Sequence, residues 1–139
     1  MLLQKQLMSK DCWRTCIAAI LNLEAKTVPH FYDLAQWDAD IGGEMGRQWL
    51  NDRGYHLISV QFGGDASFHD VLQIASAATN GLPYILSGIA KGSKQNHAIV
   101  CQGAEVIMDP LIGISNPKPF AGPCKEGFWV LEIVVKAPD

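Results

Sequence analysis

Apolar residues recur at helical spacing from Cys12 to Asn51, while the runs from Tyr55 onwards have strand character apart from one further helical stretch at 68–79. That order limits the fold. Apolar side chains at about every third or fourth position put one face of a helix into a core, and alternation puts one face of a sheet there. Helices first and strands later describe an α+β protein, in which N-terminal helices pack on an antiparallel sheet. With 139 residues, a single domain over 1–139 is expected, large enough to bury roughly two-thirds of the surface its unfolded chain exposes.

The elements follow from local signals. A buried helix is expected over 12–22, and a short one begun by Thr27 as cap with Pro29 in its first turn. Gly42-Gly43 is expected to break the chain before a helix from Glu44 to Asn51. A strand over 55–62 and a helix over 68–79 come next, the latter capped by Asp65 or Ser67 and closed by Asn80-Gly81. Residues 82–88 read as a strand, 97–108 as a hairpin turning at Gly103, and 128–136 as a last strand. The loop after Asp109-Pro110, rich in Gly and Pro, is given no element.

The first helix begins with chemistry. Cys12 stands where the apolar run starts, preceded by Asp11 and, six residues back, by Gln6. A free thiol has a pKa near 8.5, and the thiolate is the species that attacks. A helix N-terminus favours a nearby anion by only about 0.3–1 kcal/mol, less than one pKa unit. An imidazolium must supply the rest, so a partner histidine is required further along the chain. His97 opens an apolar run with strand character, and Asp109 ends the following run. A hairpin would set the two side by side, with the carboxylate fixing the imidazole's tautomer and orientation. Gln6 is a candidate oxyanion donor together with the Cys12 N–H, and Gln4 is its nearby competitor.

Together, Gln6, Asp11-Cys12, the helical Cys16-Ile-Ala-Ala-Ile-Leu, Pro83-Tyr-Ile-Leu-Ser-Gly, His97-Ala-Ile-Val and Met108-Asp109-Pro110 resemble the papain-like cysteine peptidases. The similarity is greatest to the C39-like, bacteriocin-processing branch and its phage-encoded relatives. It implies a papain-like α+β fold with Cys12 as nucleophile, His97 as general base, Asp109 as orienting carboxylate and Gln6 in the oxyanion hole. It implies a peptide or protein substrate and neither metal nor cofactor. Trp13 and Arg14 depart from the pattern, which often has glycine after the cysteine. Trp13 is a candidate wall of the substrate site. The same residues would serve an amidase, deamidase or transglutaminase, and a silent protein-binding module is the reading from another class.

Other features narrow the choice. A net charge of −3 and the lack of any sustained Lys/Arg run leave no footprint for nucleic acid. No segment approaches the ~20 apolar residues of a membrane span, and the start lacks a signal-peptide pattern, so a cytoplasmic location with reduced cysteines is expected. Cys16, one turn beyond Cys12, is expected to pack in the core. A zinc site from Cys12, Cys16, His97 and Cys101 is disfavoured, because both pairs sit inside regular elements.

Overall fold

The computed structural model describes residues 1–138. It is a mixed structure of helices and one antiparallel sheet, with helices α1 (Cys12–Ile20), α2 (Phe31–Leu34) and α3 (Ala39–Asp52) preceding the first strand, β1 (Tyr55–Gly63). After α4 (Phe68–Thr79) come β2 (Tyr84–Ala90), β3 (Asn96–Gln102), β4 (Glu105–Met108), β5 (Phe120–Gly122) and β6 (Phe128–Lys136). The sheet order is β1-β6-β2-β3-β4, with β5 pairing the end of β2. The last strand therefore lies inside the sheet. Its register with β1 runs unbroken from Tyr55↔Lys136 to Gly63↔Phe128.

Each face of the sheet carries its own core, as alternation requires. Ile85, Val100 and Leu57 point to the side covered by α1 and α3, where they meet Ile17, Phe31 and Leu50. Leu86, Ile99, Trp129 and Leu131 point to the other side and meet Val71 and Ala75 of α4. Helix α1 is buried almost all round, through Trp13, Thr15, Cys16, Ile17, Ala18 and Ala19. Its first turn, at Cys12 and Arg14, and its last residue, Ile20, are only partly buried.

Three expectations need correcting. Thr27 does not cap a helix: it ends a 3₁₀ turn, and α2 starts after His30, whose ring accepts the Asp33 N–H. Gly42-Gly43 does not break the chain, because α3 runs through both from the Asp38 cap. Two of the helix's glycines, Gly42 and Gly46, serve packing instead. A Cβ at Gly42 would strike the Tyr32 ring, and one at Gly46 would strike the Trp13 ring. The loop after Pro110 contains β5, a short strand held by pairing to Ile89 and Ala90. The remaining elements lie where the sequence puts them, with Ser67 rather than Asp65 as the cap of α4.

Candidate active site

Three of the candidate residues come together where α1 meets the start of β3. His97, at the second position of β3, is 5% exposed. Its Nε2 lies 2.7 Å from Asp109 Oδ1. Nδ1 is then the ring nitrogen left for Cys12, which lines the same cleft and acts on the charge of the same ring. Burial by itself would lower the imidazole pKa. The Asp109 hydrogen bond and the Cys12 charge outweigh it and raise the value to about 9.

Asp109 is fixed from several sides. Oδ1 also accepts the Leu111 N–H at 3.0 Å, and Oδ2 accepts the Asn116 side-chain amide at 3.0 Å. Burial opposes ionisation, but the His97 and Leu111 hydrogen bonds and the Asn116 amide hold the carboxyl below its ordinary range. The loop makes this box by turning back on itself: Asp109 N–H donates to Ile114 O, and Gly113 N–H returns to Asp109 O. Gly113 takes a φ of 78° in that turn, a conformation that favours a residue without Cβ. Asn116 was not foreseen, since only the tight turn brings it back to Asp109.

The start of α1 is organised by Asp11. Its buried carboxylate does not cap the helix. It pairs with Arg14 and accepts the Leu7 N–H at 3.2 Å. Arg14 then reaches Val28 O at 2.9 Å, and His30 Nε2 lies 3.7 Å from Asp11. Arg14 is thus drawn inward and leaves the cleft open. Trp13 packs beside Phe31 and Tyr32, with ring centroids 5.7 Å and 5.2 Å away, and only part of it reaches the cleft. Its indole N–H donates to Glu132 Oε1 at 2.8 Å.

Gln6 does not join the site in this arrangement. Its amide donates to Met8 O at 2.9 Å, and it is absent from the cleft lining. The cause is local: Asp11 draws in Leu7, and the resulting turn sets the Gln6 amide on the Met8 carbonyl. The Gln6 backbone N–H donates to Pro110 O at 2.7 Å, which ties the N-terminal segment beside Asp109.

A cleft of about 860 Å³ opens from Cys12 and His97. Its walls are the start of α3, through Asp40, Gly43, Glu44 and Arg47, and the turn at Cys124–Glu126. Its floor is the sheet, with Ser59, Gln61, Ser87 and Glu132. The other cysteines have different surroundings. Burial pushes the Cys16 thiol well up, that of Cys101 to about 12 and that of Cys124 to about 11. All four are unpaired, and no set of three metal-ligating side chains converges among the described residues. No described helix is long and apolar enough to cross a membrane. Comparisons with protein families, curated proteins and solved structures give no match.

Proposed function

We propose that the chain is a papain-like cysteine hydrolase of the C39-like kind, cutting a peptide or isopeptide bond through a Cys12 thioester. The observation that carries this reading is the buried His97–Asp109 hydrogen bond opening on the cleft that Cys12 also lines. A ring with a pKa near 9 is charged at neutral pH, and an imidazolium is the partner that stabilises a thiolate.

The reaction follows from those groups. Cys12 Sγ⁻ attacks the carbonyl carbon, and the carbonyl π electrons move to oxygen. The Cys12 N–H stands in the first turn of α1, where N–H groups have no acceptor within the helix, so it can donate to that oxyanion. The Gln6 amide has a second N–H beyond the one given to Met8 and would become the other donor by swinging towards the cleft. His97 passes its proton to the leaving amine as the C–N bond breaks and the thioester forms. His97 then takes a proton from water, which attacks the thioester and releases the acid and the thiolate. Asp109 holds the ring throughout and stabilises its charge without taking the proton.

The four unpaired cysteines fit a reducing, cytoplasmic setting. Hydrolysis of a fluorogenic peptide pool tests the proposal: Cys12→Ala should abolish turnover, and Asp109→Ala should leave a residue of it. Turnover by Cys12→Ala at the parent rate would overturn the reading.

A further inference from the structure

We propose that Glu132 forms a subsite selecting a basic side chain, lysine or arginine, beside the bond that Cys12 attacks. This rests on the hydrolase reading and names its substrate class. Glu132 is the one charged residue between Phe128 and Val135 in β6. Strand alternation turns Trp129, Leu131 and Ile133 towards α4, so Glu132 faces the opposite side, where it forms part of the cleft floor with Ser59 and Ser87. Ser59 is its direct partner across β1.

The carboxylate is fixed but incompletely used. Trp13, the residue after the nucleophile, binds Oε1 through its indole N–H. That bond holds the carboxylate in the cleft that Cys12 also lines. Among the described residues nothing donates a hydrogen bond to Oε2, and no basic side chain makes a contact ion pair with Glu132. Arg47 acts on it only through its field, since its guanidinium donates to Leu57 O at 2.8 Å.

A recessed carboxylate without a contact cation is costly, and a bound cation would offset that cost. Burial raises the Glu132 carboxyl above its usual range, with the Trp13 bond and the Arg47 charge working against it. In the cleft walls Asp40, Glu44 and Glu126 are offset by Lys10, Arg47 and Lys125, so the preference for a basic group falls to Glu132 on the floor. Lysine and arginine also fit by shape. Their apolar stems can lie along the Trp13 and Val130 surfaces while the charged head reaches Oε2.

The test uses a randomised short-peptide pool captured on immobilised full-length Cys12→Ala protein, against Cys12→Ala/Glu132→Gln. Glutamine keeps an acceptor for the indole N–H, and general attraction to the protein's net charge of −3 is nearly the same for both. Basic residues should be enriched about 10- to 100-fold on the first protein, as expected for a charge-assisted hydrogen bond, and enrichment should fall close to background on the second. Equal enrichment on both, no enrichment, or a preference for acidic peptides would overturn the proposal. Incubating the captured peptides with parent protein reads the reaction separately: binding that depends on Glu132 without Cys12-dependent cleavage would keep the subsite and defeat the hydrolase reading.

Discussion

Replacing Asp109 with Asn should lower the His97 pKa from about 9 by about 1–3 pH units, the usual effect of an adjacent opposite charge. The substitution removes charge and keeps shape. An Asn oxygen at the Oδ1 position still accepts from His97 Nε2 and from the Leu111 N–H, and the Asn116 amide can rotate to meet the new NH₂ group. The rise from an ordinary 6.5 to about 9 corresponds to about 3 kcal/mol favouring the charged ring. The attractive contributions together exceed this, because burial acts against them. Asp109 leads them and Cys12 supplies the remainder. Near pH 7.5 the ring, almost wholly charged in the parent, should therefore fall to about three-quarters charged at the smallest of these shifts and to almost wholly neutral at the largest. NMR titration of the His97 ring protons in parent and variant measures this directly. A ring that still titrates near 9 in Asp109→Asn would refute the assignment of Asp109 as the group that charges it.

The same pair predicts a pH dependence of stability. His97 has a raised pKa, so its contribution is full below 6.5 and is lost as pH rises through about 9; that of Asp109, whose pKa is lowered, is present above 3.8 and lost as pH falls below it. Urea midpoints of parent and Asp109→Asn should differ most from weakly acid to neutral pH and converge at both extremes. Arg14→Met should cost about 3–5 kcal/mol in urea unfolding, because it leaves the buried Asp11 carboxylate without its cation. Gly46→Ala should lose about 1–2 kcal/mol, because overpacking against Trp13 outweighs the gain in helix propensity. Gly43→Ala, where a Cβ meets nothing within 4 Å, should gain about 0.5–1 kcal/mol in the same assay.

What could be read in advance depended on whether a residue's role was local. Helix α1 and strand β6 were legible because their apolar patterns are long, and Asn80-Gly81 marked the end of α4 because the left-handed turn there is a backbone demand. The continuity of helix α3 is hidden in the sequence because Gly42 and Gly46 answer to the rings of Tyr32 and Trp13, which lie outside the helix. Strand β5 has no pattern of its own and exists by pairing with Ile89 and Ala90. In the site, Cys12, His97 and Asp109 were legible because each begins or ends a periodic run. The orientation of Gln6 was not, since it follows from Asp11 binding Leu7 and Arg14 instead of capping α1. Glu132 did carry a signal, a lone charge in an apolar strand, whose meaning needed the Trp13 contact.

The most direct measurement of the central claim is pulse alkylation with iodoacetamide at about pH 6, where an ordinary thiol is almost wholly protonated, read site by site by mass spectrometry. Cys12 should be modified far faster than Cys16, Cys101 and Cys124, whose thiols are buried and protonated. His97→Ala should remove that advantage. Cys12 labelling no faster than Cys124, or a Cys12 rate unchanged by His97→Ala, would contradict a nucleophile activated by the His97–Asp109 pair.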